Sequence, residues 1–335
     1  MPLKSAAILR WTGRGRLADL QSSIKFVLRM NAVKGRVSGI GNSVVVEGPE
    51  PLGLAALLGN MPGVSWVAAG TSARPYRELA AASRSLARNY LKRGDRFSVG
   101  AEGTEGVLAS DLAGSVTSAI LDSVKGSRVS AESPKIRFRA ACDGGRGVVG
   151  VEVKKGPGGA PMGTDSVSCL VSGGMHSSVL AWEAVLHGFR VRLVHSRSSD
   201  EGLRSVARLY SELSHRADPR GLSLEVLEGG SVVGALYKYA RRSSDPVFAA
   251  FTPTTAAAAR RLPSVLAPLF LLPEERFQAE YESLGIKGVD SVERWAAKRG
   301  EEVRVRTFGG KVADVSGVLD GLRWQTLRIQ PALTS

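Results

Sequence analysis

The chain has 335 residues, enough for two domains, with 43% hydrophobic residues and a formal net charge of +14. It has no uninterrupted apolar run of about 18 residues, so no transmembrane helix is expected. The first residues carry Lys4, Arg10 and Arg14 with no apolar stretch behind them, so no signal peptide is expected and a cytoplasmic location is. Its two cysteines, Cys142 and Cys169, exclude a disulfide framework and a Cys-only zinc site.

The charge is uneven along the chain: residues 1–100 hold 15 Lys/Arg against 5 Asp/Glu, whereas residues 101–165 balance at 8 against 8. A regional basic excess suits a polyanionic partner, nucleic acid or an acidic membrane surface, with a solvated basic surface as the plain alternative. In chain order, residues 6–11 read as a strand, 17–30 as an amphipathic helix, 44–47 as a strand, 52–58 as a helix closed by Gly59, and 64–68 as a strand. Residues 74–93 then read as a long helix with Leu79, Ala82, Leu86 and Tyr90 on one face. Its other positions carry Arg77, Arg84, Arg88, Lys92 and Arg93, an apolar stripe backed by cations. Residues 96–101 are strand-like, and 110–125 form a helix with Leu112, Val116, Ile120 and Val124 every four positions. Residues 136–141 and 148–153 are neighbouring strands. The Gly/Pro-rich stretch 154–161 reads as a connector and domain boundary.

Beyond it, strands at 167–171, 191–195 and 222–227 alternate with helices at 178–187 and 202–215, the signature of a doubly wound parallel sheet. Residues 232–262 are helical in places and interrupted by Pro246 and Pro253. Residues 273–284 form a helix with proline in its first turn and Gly285 after its end, and the tail from 303 is strand-like. Between the first strand and helix of this half lies Val171-Ser172-Gly173-Gly174-Met175-His176-Ser177-Ser178. Two glycines let the backbone turn sharply and offer successive N–H groups to an anion. Ser172, Ser177 and Ser178 add hydroxyls, and the following helix aims its positive end at the same place.

This loop resembles the S-G-G-x-D-S signature of PP-loop ATP pyrophosphatases. Just before it, Gly158-Gly159-Ala160-Pro161-Met162-Gly163-Thr164 resembles the G-G-L-P-x-G-T linker of tRNA 4-thiouridine synthetases, also called tRNA sulfurtransferases. Ile8-Leu9-Arg10-Trp11-Thr12-Gly13-Arg14, Gly35-Arg36 and Ser133-Pro134-Lys135-Ile136-Arg137-Phe138 sit where that family has related residues, so the resemblance runs from about residue 6 to 285. It implies an α/β protein built from a ferredoxin-like leader (1–72), a THUMP RNA-binding domain (73–157) and a Rossmann-like, doubly wound PP-loop domain (165–290), followed by an extension (291–335). It also implies ATP at Ser172, Gly173, Gly174, Met175, Ser177 and Ser178, with Mg²⁺ assisting; His195, at a strand's carboxyl end, is a candidate to line the same nucleotide crevice, with a packed or exposed histidine as the alternative. tRNA would be held by Arg10, Arg14, Arg16, Arg36, Arg84, Arg88, Lys92, Lys154 and Lys155. The implied activity is adenylation of a tRNA uridine oxygen, after which sulfur displaces AMP. No membrane partner is implied; a homodimer is compatible.

Two departures from the family keep a second reading open. His176 stands where the family has the Asp of its signature, and imidazole is a poor ligand for a hard cation. The stretch Tyr237-Lys238-Tyr239-Ala240-Arg241-Arg242 lacks the family's cysteine, the chain has no rhodanese segment, and Thr252-Pro253-Thr254-Thr255 is abbreviated against the family's uridine-pocket segment. A separate sulfur-delivery protein would supply the first lack; a catalytically inactive tRNA-binding paralogue is the alternative. The four histidines lack metal-ligand spacing, so no resident metal site is expected. His187 and His215, near helix ends, read as dipole partners.

Overall fold

The computed structural model describes residues 3–74, 78–104, 106–197, 199–228, 232–250, 265–269, 273–284, 302–307 and 326–331. The chain divides into two compact units, Met1–Pro161 and Met162–Ser335. No helix among the described residues is long and apolar enough to cross a membrane.

The first unit runs β1 (Lys4–Trp11), α1 (Leu17–Met30), β2 (Arg36–Ile40), β3 (Ser43–Glu47), α2 (Pro51–Leu58), β4 (Val64–Ala73), α3 (Leu79–Tyr90), β5 (Arg96–Gly103), α4 (Ala109–Ser123), β6 (Arg128–Val129), β7 (Ile136–Cys142) and β8 (Gly147–Gly158). All eight strands join one sheet in the order β2-β3-β1-β4-β8-β7-β5-β6. Helices α1 and α2 place Leu20, Ile24, Leu54 and Leu58 against Ala7, Leu9, Val44 and Val67. On the other half, Leu79, Leu112, Val116 and Ile120 of α3 and α4 meet Phe97, Phe138, Val149 and Val151. A third core is made of strand residues: Ala6, Ile8, Ile40, Val45, Ala68, Ala141 and Val148 line the side opposite the helices and are almost fully buried.

That side is buried because the sheet curls until its distant strands meet. Ser43 on β3 donates to Glu102 on β5 at 2.9 Å, although four strands lie between them. Arg10 on β1 pairs with the same carboxylate, and Arg146 after β7 donates to Ser38 on β2 at 2.7 Å. The bend is centred on β4 and β8, where Gly70 stands opposite Gly150. A Cβ on Gly70 would lie 2.0 Å from the Val149 carbonyl oxygen, so only glycine admits this approach.

Two sequence expectations change here. The stretch 154–161 is strand as far as Gly158 and pairs with β4, so the division between units falls at Pro161/Met162. Its glycines signal close approach of two backbones as well as turning: a Cβ on Gly156 would sit 2.2 Å from the Val64 carbonyl oxygen. The helix expected from residue 74 begins at Leu79 and ends at Tyr90; residues 75–77 lie outside the described set. Strand β2, containing Gly39, was not anticipated.

The second unit runs β9 (Ser166–Leu170), α5 (Met175–Leu186), β10 (Arg190–Ser196), α6 (Asp200–Arg216), a 3-10 turn (Pro219–Gly221), β11 (Leu222–Glu228), α7 (Val232–Arg242), β12 (Val247–Ala249), β13 (Val265–Leu266), α8 (Glu274–Leu284), β14 (Glu302–Thr307) and β15 (Thr326–Pro331). The strands order as β13-β12-β9-β10-β11-β14-β15, every neighbouring pair parallel. Helices α5 and α6 cover one side through Leu180, Trp182, Leu203, Val206 and Leu213. Helix α7 covers the other through Ala235, Tyr239 and Ala240. This is the doubly wound α/β arrangement expected from the strand–helix alternation. The helical reading of 232–262 holds as far as Arg242; Pro246 lies just before β12, and Pro253 and Thr252–Thr255 are outside the described residues, as is Gly285.

Candidate functional site

Strands β9, β10 and β11 follow one another in one direction across the sheet, and β12 then returns to the far side of β9. In open α/β sheets a crevice forms where the order reverses, beyond the carboxyl ends of the strands. The Ser-Gly-Gly loop lies there, between β9 and α5. Gly173 has φ +84°, and a Cβ on it would lie 2.6 Å from the Ser205 Cβ and 3.2 Å from the Gly202 carbonyl oxygen, so glycine lets the loop lie flat against α6. Gly174 is the N-cap of α5 with φ −84°, and no side chain caps the helix. The positive end of the α5 dipole therefore points at the loop, as at helix starts that bind anions.

The three serines divide. Ser177 and Ser178 are buried and donate to the Gly174 carbonyl at 3.1 and 2.9 Å, while the Ser177 oxygen also accepts from the Ser172 amide at 3.2 Å. These hydroxyls hold the loop in shape. Ser172 is exposed, its oxygen accepting from the Gly174 amide at 3.3 Å, and it is the hydroxyl presented outward. Met175 and His176 are half-buried in the first turn of α5. The His176 ring packs edge-on against Phe277 of α8, centroids 4.6 Å apart. This aromatic partner lies beyond the reach of local sequence signals, because it comes from a helix about a hundred residues downstream.

His195, at the carboxyl end of β10, is only 3% exposed. Its Nδ1 lies 2.9 Å from the Val171 carbonyl oxygen at the root of the loop, and its ring backs onto Gly202 of α6. It thus braces the loop from beneath, and its buried Nε2 has no hydrogen-bond partner among the described residues. Burial, with the Arg197 charge adding to it, holds the imidazole pKa below its ordinary value against the opposing Val171 hydrogen bond. The unfolded chain titrates at the ordinary value of about 6.5. Between that pH and the lower folded pKa the unfolded chain binds the extra proton, so stability is present above about pH 6.5 and is lost as pH falls toward the folded value. His195→Asn, which keeps a donor for Val171, is expected to flatten this acid limb in urea midpoints measured across pH. An unchanged limb would refute the assignment.

Sequence reasoning passed over Arg197. It donates to Glu228 at the end of β11 at 2.7 Å and to Asp200 at the start of α6 at 2.8 Å, tying three elements together at the carboxyl end of the sheet. The signal for it was the Ser199-Asp200-Glu201 helix start: Ser199 caps α6 by accepting from the Gly202 amide. Among the described residues no three His, Cys, Asp or Glu side chains converge as a metal site. Both cysteines are buried, and burial pushes the Cys169 thiol up to about 12 and raises that of Cys142. Neither is a ready thiolate. His187 caps α5, with Nδ1 2.8 Å from the Glu183 carbonyl oxygen, and His215 lies in the last turn of α6.

The cations expected from the sequence to contact RNA lie on several elements of the first unit. Arg10 pairs with Glu102 inside the curl and Arg16 with Asp19 at 2.9 Å in the first turn of α1. Arg14 is exposed in the loop before α1, and Arg36 opens β2 opposite Glu47. Arg84 and Arg88 lie on α3, the first half-buried and the second exposed, and exposed Lys92 follows the helix. Lys154 pairs with Val67 and Lys155 with Trp66 on β4, so neighbouring positions on β8 direct these lysines to opposite sides of the sheet.

No protein-family model matches the sequence. The tRNA sulfurtransferase of Pyrobaculum aerophilum is 38% identical over 71 residues, which are 21% of this chain and 15% of that protein. The aligned stretch therefore spans well under a fifth of that relative. Among solved structures, PH1313 from Pyrococcus horikoshii matches with a TM-score of 0.67 at 20% identity, covering 84% of this chain and 99% of its own. A 4-thiouridine synthetase–RNA complex with bound ATP matches with a TM-score of 0.65 at 15% identity, covering 84% and 85%. At these identities the likeness establishes the fold.

Proposed function

We propose that this chain binds tRNA with its first unit and ATP at the loop of residues 172–178, and that it adenylates a tRNA uridine for sulfur transfer. The observation that carries the reading is the Ser-Gly-Gly loop itself: an uncapped helix start and a left-handed glycine pressed on α6, at the reversal point of a parallel sheet. The fold shared with a synthetase crystallised with RNA and ATP supports it, as does the short match to a tRNA sulfurtransferase. In the reaction the uridine carbonyl oxygen attacks the α-phosphorus, forming an O–P bond as the α–β anhydride bond breaks and pyrophosphate leaves. A sulfide-level sulfur nucleophile then attacks the activated carbon, the C–O bond breaks, and AMP departs with the oxygen. The loop amides and Ser172 would stabilise charge growing on the phosphates, while His195 and the inward serines hold those amides in place. Mg²⁺ would be held chiefly by the phosphates and water, since the loop offers His176 in place of a carboxylate. With both thiols buried, sulfur would come from a separate delivery protein.

The contact of His176 with Phe277 favours a second reading, a tRNA-binding paralogue whose chemistry has been retired. Release of AMP and pyrophosphate from ATP by the purified protein, with and without tRNA, separates the two. Release that requires tRNA and disappears in Gly173→Asp establishes the adenylating enzyme. No release, with tRNA binding intact, establishes the binding protein.

A further inference from the structure

Several cations of the first unit are matched to carboxylates: Arg10 to Glu102, Arg16 to Asp19, Arg139 to Glu152, Arg146 to Glu47 and Asp143, and Lys135 to Asp95. At the β6 edge of its sheet the pattern reverses. Arg96 and Arg128 are direct partners in the parallel β5–β6 pairing, both exposed. Adjacent strands lie about 4.8 Å apart, so two guanidinium stems stand side by side, an arrangement that destabilises a sheet by like-charge repulsion. Arg93 joins them: its side chain lies across Gly126, two residues before Arg128, with its Cγ 3.0 Å from where a Cβ on Gly126 would be. Lys92 precedes it, and all four are exposed.

The turns that bring them together are fixed by backbone bonds, Gly94 N–H to the Gly126 carbonyl at 3.1 Å and Arg128 N–H to the Asp95 carbonyl at 3.0 Å. The nearby carboxylates are engaged elsewhere: Asp95 accepts from the Lys135 ammonium and the Lys92 amide, and Asp122 lies 4.0 Å from Lys125. Among the described residues, Arg93, Arg96 and Arg128 have no carboxylate within ion-pair distance. A two-residue edge strand carrying adjacent cations costs stability and adds little packing, so its use lies in what the cations meet.

We propose that Lys92, Arg93, Arg96 and Arg128 form a contact surface for the phosphate backbone of an RNA. The inference rests on the RNA-binding reading above and places an interface at residues that, Lys92 and Arg93 apart, the sequence did not single out. Guanidinium forks match phosphate oxygens in pairs. A membrane surface would call for an apolar rim, and the strand offers Val129 alone.

The test is binding of unmodified tRNA across a series of KCl concentrations, with the wild-type chain and Arg96→Gln/Arg128→Gln. Two lost phosphate contacts should weaken binding about tenfold or more at low salt and make the log–log salt dependence shallower by about 1.5–2. ATP affinity should stay the same, and the thermal midpoint should stay or rise as repulsion is relieved. Wild-type binding with an unchanged slope in the variant overturns this surface and leaves the RNA-binding reading standing. No tRNA binding by the wild-type chain overturns that reading and this surface with it. Wild-type capture by anionic phospholipid vesicles that the variant loses, with tRNA binding unmoved, assigns the cluster to a membrane and overturns the proposal.

Discussion

Alanine at position 173 is expected to abolish ATP binding at the loop and to weaken the second unit. The residue sits at φ +84°, and the atoms its Cβ would meet are the Ser205 Cβ at 2.6 Å and the Gly202 carbonyl oxygen at 3.2 Å. Neither is the far end of a flexible side chain. A left-handed conformation costs a residue with a Cβ about 1–2 kcal/mol, and overpacking adds about 1–3 kcal/mol. The loop relieves this by lifting from α6, which takes the α5 amides out of register with the phosphates. At about 1.4 kcal/mol per decade, a loss near a hundredfold in ATP affinity follows. Gly174→Ala is the contrast: φ is −84°, and the nearest atom to its Cβ is the Ser172 Oγ at 3.4 Å. Its effect should stay within about fivefold, since ordinary van der Waals contact replaces a clash. Calorimetric titration with ATP beside urea unfolding of both variants decides the matter. Equal losses, or none in either, would show that the contact with α6 does not set the loop.

Gly70→Ala should be severely damaging to the first unit. Its Cβ would lie 2.0 Å from the Val149 carbonyl oxygen and 2.4 Å from the Gly150 Cα, both backbone atoms of the strand it pairs with. Separating β4 from β8 there opens the curl, and the ion pair and hydrogen bonds that join its ends come apart together. A loss of about 3–5 kcal/mol is expected, the range of severe overpacking with broken buried polar contacts. Urea unfolding of the variant beside the wild-type chain, followed by tryptophan fluorescence to which Trp66 on β4 contributes, reads it. A change under about 1 kcal/mol would mean that the seam relaxes without unrolling the sheet.

The alternation of residues 167–227 gave the parallel sheet, and Ser172-Gly173-Gly174 gave the loop, because both signals are local. Periodicity sets which side of a strand is buried, and glycine pairs set where a backbone can turn. What the sequence concealed was non-local. Gly39, Gly70 and Gly156 look like turn or linker residues, yet each sits in a strand. Their role is visible only once the partner backbone or side chain is in place. For His195 crevice lining and packing are both open in the sequence, and its ring is buried against Val171 and Gly202. Basic residues were the hardest to sort. Arg10 and Arg128 are alike in the sequence, and only the structure shows that Glu102 meets the first while a second arginine stands beside the other.

The Gly70–Gly150 seam also dictates the order in which the first unit can form. Strand β4 is complete at Ala73, but the strand it leans on begins at Gly147, with α3, β5, α4, β6 and β7 between them. Until β8 arrives, α1 and α2 can cover one side of β1, β3 and β4, while Ala6, Ile8, Val45 and Ala68 on the other side stay wet. Closing so long a loop is slow, because chain entropy is lost before the distant contacts form. Residues 1–161 should therefore unfold in a single transition. A chain cut after residue 74 would hold a half-sheet with an open apolar side, prone to associate with copies of itself.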